Sequence, residues 1–240
     1  MSKQYETGHA KNVANLEMLI EQITTFTSYN PSIDNLKIPA VTTLYNTALA
    51  SINSVTDKKI ANKNAIHTRQ DLYIKLKGTS TRIINQLDIL NLNEGVFEQA
   101  KSLNRLIQGK SKSNKNEQQK AEGGQENSKS TSRQSFTQLA ENFSRLLQLI
   151  ETITTYNPNI DDLKLANLTT YQTELVNVTQ TVNQTDAELD TEIIERNNIL
   201  YDDTTGVYEI GQNIKKYVKS VYGATSPEYA NVSRIKFTDQ

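Results

Sequence analysis

Apolar side chains recur every three or four residues near the start of the chain and again after its midpoint. The first stripe contains Leu16, Leu19, Ile20, Ile23 and Phe26, and the second contains Phe136, Leu139, Phe143, Leu146, Leu147, Ile150 and Ile153. This spacing places each set on one face of an amphipathic helix. Both helices are expected to end at an Asn-Pro pair, at Asn30 and Asn157, because proline disfavours helix in the residue before it.

A longer apolar stripe follows each Asn-Pro pair. The second of them runs in phase through Leu168, Tyr171, Leu175, Val178, Val182, Leu189 and Ile193. It thins near Thr185, as its counterpart does near Lys58, which leaves open one long helix or two shorter ones. Because no glycine or proline interrupts either stretch, we favour long helices near 40–77 and 166–203. Ile33 and Ile160 are expected to fold back over the end of the bundle, and Asp34 and Asp161 to cap the next helical turn.

Two shorter stripes follow each long one. A helix is predicted around 83–90 and around 207–221, with closing segments at 96–107 and 227–237. Gly223 suits the end of a helix, and Ser226-Pro227 suits the start of the next, with proline in the first helical position. No stretch alternates apolar and polar residues as a strand does. The sequence therefore predicts an all-α protein.

The chain also contains one segment twice. The stretch YNPSIDNLK at 29–37 returns as YNPNIDDLK at 156–164, and identities continue on both sides at the same shift of 127 positions. We call two residues related by this shift corresponding positions. Repeat architecture takes precedence over other interpretations of a sequence. We therefore predict two tandem helical-bundle repeats of long antiparallel helices, at 1–107 and 135–240.

The stretch 108–134 between the repeats is almost free of apolar residues and is rich in Ser, Gln, Lys and Gly. Such a composition cannot bury enough surface to offset the entropy cost of ordering, which predicts a flexible, disordered polar linker. Its length allows the repeats to pack side by side, to stack end to end or to exchange between chains, and the sequence does not choose among these arrangements.

Composition narrows the class of protein. The chain has no cysteine, which excludes disulfides, thiolate metal sites and thiol catalysis. No stretch has the length of a membrane helix and the start has no secretory pattern, so a cytoplasmic location is expected. The net charge of −1 is unevenly spread, with +3 in 1–107, +3 in 108–134 and −7 in 135–240. This asymmetry reflects either drift on solvated surfaces or electrostatic attraction between the repeats or between chains.

Candidate chemistry is sparse. Glu6 and His9 have the Glu-x-x-His spacing of carboxylate-bridged metal sites, but the pair precedes the predicted first helix and has no counterpart, so a solvated segment is expected. His67 is expected to be structural or on the surface. The acidic run Asp186, Glu188, Asp190, Glu192 and Glu195 suits a solvated face. No phosphate loop or nucleophile elbow occurs, so we predict no cofactor and no enzyme activity. Nucleic-acid binding is disfavoured because glutamates separate the linker lysines and aromatic residues are missing there.

Tyrosines crowd the end of the second repeat. They are Tyr201, Tyr208, Tyr217, Tyr222 and Tyr229. Tyrosine is common in interface hot spots, so these side chains either seal the last bundle or bind a partner. The sequence predicts a non-enzymatic cytoplasmic protein-binding or scaffolding module that binds a protein partner or itself. The alternatives are a metal-binding or enzymatic helical bundle and a self-assembling structural protein.

The stretch from Tyr222 onward combines Gly223, Ser226-Pro227, Tyr229 and a final Ile235-Lys236-Phe237 run. It resembles the endings of uncharacterised helical proteins of Bacteroidota-type bacteria. The resemblance implies a bacterial helical protein and, because that family has no assigned activity, implies nothing about function. A role in the cell and a role encoded by a mobile element both stay open.

Overall fold

The computed structural model describes residues 4–109 and 135–239, with side chains described from residue 8 onward. Within these ranges the chain is all-α and contains no strand, as predicted. The helices are α1 (Gln4–Thr24), α2 (Ile38–Ile74), α3 (Leu76–Asp88), α4 (Glu94–Gln108), α5 (Phe136–Glu151), α6 (Leu165–Tyr201), α7 (Val207–Tyr222) and α8 (Pro227–Ser233). The predicted disordered linker lies outside the described residues, apart from its first two positions.

Each long apolar stripe forms one uninterrupted helix. α2 and α6 both contain 37 residues, and their ends lie within a few residues of the predicted ones. The thin parts of the stripe near Lys58 and Thr185 therefore do not break the helices. Among the helices of the described ranges, none has the length and apolar character that crossing a bilayer requires.

The first helix of each pair ends earlier than the Asn-Pro signal predicts. α1 ends at Thr24 and α5 at Glu151, six residues before each asparagine. The chain leaves α1 through tight turns, in which Thr25 N donates to Gln22 O and Phe26 N to Ile23 O. Proline restricts only the residue before it, so its effect does not extend to the position at which the helix actually stops.

Two predictions about the Asn-Pro turn are wrong. Ile33 and Ile160 do not cover the bundle, because their side chains are 57% and 44% exposed; Leu36 and Leu163 are buried instead, each in a single 3₁₀ turn (Asp34–Leu36 and Asp161–Leu163). Asp34 does not cap that turn either, since its carboxylate contacts Lys37 Nζ at 2.6 Å, as Asp161 contacts Lys164. The position that caps each turn is occupied by Ile33 or Ile160, whose side chains have no oxygen to accept a hydrogen bond from a backbone amide.

The described residues divide into two compact units that do not coincide with the predicted repeats. Unit 1 comprises Met1–Asn62 and Thr185–Gln240, and unit 2 comprises Lys63–Gln184. Each unit thus combines the beginning of one predicted repeat with the end of the other, and each long helix contributes residues to both units. The repeats at 1–107 and 135–240 stay a prediction about the sequence.

The core of unit 1 forms where α1 packs against α7 and α8. From the first half of the chain it takes Val13, Leu16, Leu19, Ile23, Leu36 and Val41, and from the second half Leu200, Val207, Ile210, Ile214, Val218, Val232, Ile235 and Phe237. All of these side chains are buried, so the stripe predicted on the first helix faces a stripe that lies about two hundred residues away in the sequence.

The core of unit 2 forms where α5 packs against α4 and α4 packs against α3. From the first half of the chain it takes Tyr73, Leu76, Ile83, Leu87, Ala100 and Ile107, and from the second half Leu139, Phe143, Leu146, Ile150, Leu163, Leu168 and Leu175. Burial of such side chains from water is the main favourable term in folding, so each unit depends on both halves of the chain.

Candidate functional site

Two of the five predicted partner-binding tyrosines close the turn that follows α1. The Tyr222 hydroxyl accepts a hydrogen bond from Ser28 N at 2.9 Å, and the Tyr217 hydroxyl accepts one from Asn30 N at 3.3 Å. The Tyr217 ring meets the Tyr29 ring edge-on, with centroids 5.3 Å apart. These contacts satisfy backbone amides of the turn, which gives both side chains a role within unit 1.

The other three tyrosines also lie half-buried against the core of unit 1. Tyr201 packs beside the His9 ring at 5.6 Å, and burial raises the pKa of its hydroxyl. Tyr229 lies beneath Lys219, whose Nζ is 5.6 Å from the ring centroid. Tyr208 is half-buried on α7. Sealing the unit thus accounts for contacts of all five side chains, and a partner-binding role for them stays a prediction.

The two histidines have contrasting environments. His9 is not in a solvated segment, because α1 begins at Gln4 and the His9 side chain is only 5% exposed. The predicted start of the first helix was too late, since the apolar stripe begins only after His9. His67 is exposed on α2, as one of its two expected roles requires. Among the side chains of residues 8–109 and 135–239, no three metal-ligating groups meet; the Glu6 side chain lies outside this set.

The acidic run on α6 is more than a solvated face. Glu192 accepts a hydrogen bond from Ser54 Oγ at 2.7 Å, and Glu188 contacts Lys58 Nζ at 2.9 Å. Asp186 accepts one from the buried Asn62 side chain at 3.0 Å. These three carboxylates therefore contact α2, whereas the sequence pattern predicted a solvated face.

A groove opens in unit 2 where α3 begins and α6 begins. It has a volume of about 410 Å³ and is lined by Lys75, Gly78, Thr79, Arg82, Asp162, Asn167 and Tyr171. We call it groove 2. Arg82 and Asp162 face each other with 3.5 Å between nitrogen and oxygen, and both are well exposed. The Tyr171 hydroxyl donates to Leu72 O at 2.8 Å, and burial raises its pKa to about 12.

Unit 1 has a groove at the corresponding place. It has a volume of about 340 Å³ and is lined by Asn35, Ala40, Thr43, Leu44, Thr47, Ile199, Thr205 and Ile210. We call it groove 1. Four of its residues stand 127 positions from residues that line groove 2: Asn35 with Asp162, Ala40 with Asn167, Leu44 with Tyr171, and Thr205 with Gly78. The two grooves therefore lie at corresponding positions but differ in chemistry. The lining of groove 1 contains neither a cationic nor an acidic side chain.

The sequence patterns did not indicate either groove. Each is assembled from a 3₁₀ turn, the start of a long helix and residues near the start of α3 or α7, which lie far apart in the chain. The only signal available was the repeated segment, which lines both grooves through Asn35 and Asp162.

Comparison with models of protein families, with curated proteins and with solved structures found no match to this chain. The resemblance of the stretch from Tyr222 to bacterial helical proteins therefore stays a prediction. Functional inference depends on the residues themselves.

Proposed function

We propose that the chain is a non-enzymatic protein-binding module that presents two grooves of different chemistry. The observation that carries this proposal is the occurrence of a groove at corresponding positions of both units, with Lys75, Arg82 and Asp162 as charged side chains in one and only uncharged side chains, many of them aliphatic, in the other. The same scaffold then offers two binding surfaces that do not compete for one kind of ligand.

The linings favour particular partner chemistry. In groove 2, Lys75 and Arg82 stand beside a single acid, Asp162, so an acidic side chain of a partner can pair with them. In groove 1, Leu44, Ile199 and Ile210 favour an apolar side chain of a partner. Both grooves open to solvent, and this suits side chains of a docked peptide better than a small molecule, which needs most of its surface enclosed.

We also propose that the chain descends from a duplicated helical module and acts in the cytoplasm. The duplication is supported by contacts that recur at corresponding positions: Tyr29 donates to Leu36 O at 2.7 Å, and Tyr156 donates to Leu163 O at 2.9 Å. A duplicated scaffold whose grooves have diverged fits a two-site binding module better than it fits a single catalytic centre.

Co-purification from the native host tests the proposal. The tagged protein is recovered at low salt after nuclease treatment, and bound proteins are identified by mass spectrometry. Gly78→Trp is designed to fill groove 2, because a Cβ at Gly78 meets no atom within 4 Å, and Thr47→Trp is designed to fill groove 1 from an exposed position. Gln99→Trp is the control, since Gln99 is exposed on α4 and lines neither groove.

The expected result is a protein partner that Gly78→Trp or Thr47→Trp removes and Gln99→Trp retains. Circular dichroism must show that all three variants keep the parent helix content. Partners that bind both groove variants as well as the parent would contradict the proposal, as would recovery of the protein alone.

A further inference from the structure

Neither half of the chain contains a complete core. We call residues 4–109 the first half and residues 135–239 the second half. In unit 1, Leu16, Leu19 and Ile23 of the first half pack against the α7 stripe of the second half. In unit 2, Phe143 and Leu146 of the second half pack against elements of the first half. A half on its own would leave both of these apolar faces in water.

Buried hydrogen bonds also join the halves in unit 2. The Tyr73 hydroxyl of the first half lies 3.0 Å from Phe136 O and 3.1 Å from Leu175 O, both in the second half. In return, the Tyr171 hydroxyl of the second half donates to Leu72 O at 2.8 Å. Loss of the opposite half would leave these half-buried or buried polar groups without their protein partners, which is costly unless water replaces them.

Unit 1 has its own junction between the halves. The Asn12 side chain is fully buried; its Nδ2 donates to Thr238 O at 2.8 Å, and its Oδ1 accepts from Thr238 N at 2.9 Å. Asn15 adds a bond from its Nδ2 to Lys236 O at 2.7 Å. Paired amide-to-backbone bonds of this kind hold the segment 236–238 along α1 and fix its register.

From these contacts we infer that the two halves of the chain are complementary binding partners that assemble without a covalent connection. The binding surface of each half comprises its two apolar faces and the polar groups named above. The partner it fits is the other half of the same sequence. The covalent connection through 110–134 then raises the effective concentration of one half near the other. This inference does not rest on the proposed partner binding, because Leu16, Phe143, Tyr73 and Asn12, which join the halves, line neither groove. Tyr171 alone among the residues named above both joins the halves and lines groove 2.

Cleavage of the full chain tests the inference. A recognition sequence for a site-specific protease is inserted within 110–134, and the folded protein is cut to completion. The cut protein should elute as one species with the mass of the parent, 27.0 kDa plus the insert, and should keep its helix content. Two separated fragments, or a loss of helicity on cutting, would overturn the inference.

Two variants that each lack one tyrosine hydroxyl test individual contacts between the halves. Tyr73→Phe removes a hydroxyl that bonds to the opposite half, and should raise the dissociation constant of the cut halves about tenfold. Tyr156→Phe is the matched control because its hydroxyl bonds to Leu163 O within its own half, and it should change that constant no more than about threefold. Equal shifts in both variants would show that the halves do not associate through the contacts described.

Discussion

Units 1 and 2 share their turns and differ in how they are closed. In both, a tyrosine before the turn donates to the carbonyl of a buried leucine, and an aspartate pairs with a lysine three residues later. The closing elements diverge: α4 has 15 residues, whereas α8 has 7 and is followed by a non-helical segment that carries Phe237. The turn is held by paired polar geometry, which tolerates little change, whereas an apolar face can be covered in more than one way.

The connection that follows each long helix also differs between the two units. α2 passes into α3 through the single residue Lys75. At the corresponding position, Asp202 opens a loop in which its Oδ1 accepts hydrogen bonds from both Thr204 and Thr205. Gly206, the residue before α7, lies close to the backbone of Asp202. Unit 1 therefore connects its helices through a loop held by side-chain hydrogen bonds, whereas unit 2 connects them through one residue.

The largest expected effect comes from glycine at these two junctions. A Cβ at Gly206 would stand 2.5 Å from Asp202 N, so the backbone of the loop must move. We expect Gly206→Ala to lower the free energy of unfolding by at least about 2 kcal/mol. In unit 2, Gly78→Ala should change it by between zero and a gain of about 1 kcal/mol, because its Cβ meets nothing and alanine favours helix.

Urea unfolding of both variants followed by circular dichroism measures the difference. If the Gly78 variant were destabilised as much as the Gly206 variant, the two junctions would not differ in their tolerance of a side chain.

The next effect concerns the closure of unit 1. A Cβ at Gly211 would stand 2.6 Å from the Phe237 ring, whereas the corresponding position in unit 2 is Ile84. Gly211→Ala should cost about 1–2 kcal/mol because the ring must shift. Adding Phe237→Leu should give a double variant less destabilised than the sum of the single ones, and additive losses in a double-mutant cycle would contradict direct contact.

A smaller expected effect is a pH dependence of stability that comes from Asp202, in the loop after α6. Hydrogen bonds from the Thr204 hydroxyl, and then from the Thr204 and Thr205 amides, lower the pKa of the Asp202 carboxyl in the folded state. The stability that Asp202 contributes is therefore present above pH about 4 and is lost as pH falls below that value. Asp202→Asn keeps an acceptor without a charge, so it should flatten the acid limb of the stability profile and destabilise less than Asp202→Ala at pH 7. An unchanged acid limb in Asp202→Asn would refute this assignment.

The smallest expected effect comes from ion pairs that join the basic first half to the acidic second half. Unit 1 has Lys58 with Glu188 at 2.9 Å, and unit 2 has Arg82 with Asp162 at 3.5 Å and with greater exposure. Coupling from double-mutant cycles should be small for both, larger for the unit 1 pair, and reduced by salt. Coupling that persists at 1 M salt would show that these pairs are less solvated than their exposure indicates.

The sequence predicted which segments form helices better than it predicted which helices pack together. The stripe from Leu16 to Ile23 located α1, and the uninterrupted stretch after each Asn-Pro pair located α2 and α6, because periodicity depends on local geometry. Periodicity identifies the apolar face of a helix without identifying the helix that covers it. The packing of α1 on α7 and of α5 on α4 was therefore beyond what the pattern could predict.

The candidate site was harder to predict for the same reason. The tyrosines were recognised by composition, but the contacts of Tyr222 with Ser28 and of Tyr217 with Asn30 depend on pairing between distant segments. His9 was assigned to solvent because the segment from Glu6 to His9 precedes the first apolar stripe, contains Gly8 and has no counterpart in the second repeat. The grooves left no local pattern at all, since each combines residues from both halves.

The pairing of Asn12 with Thr238 has a consequence for synthesis on the ribosome. Translation emits the chain in order, and 226 positions separate these two residues. At about 5–20 residues per second, α1 waits more than ten seconds for the residues that cover it, whereas unit 2 has all its residues once position 184 has emerged. We expect nascent chains halted shortly after unit 2 emerges to protect Phe143 and expose Leu16, which pulsed chemical labelling can detect. During that interval the apolar face of α1 lacks the cover of α7 and α8, and transiently exposed apolar surface of this kind is what chaperones bind.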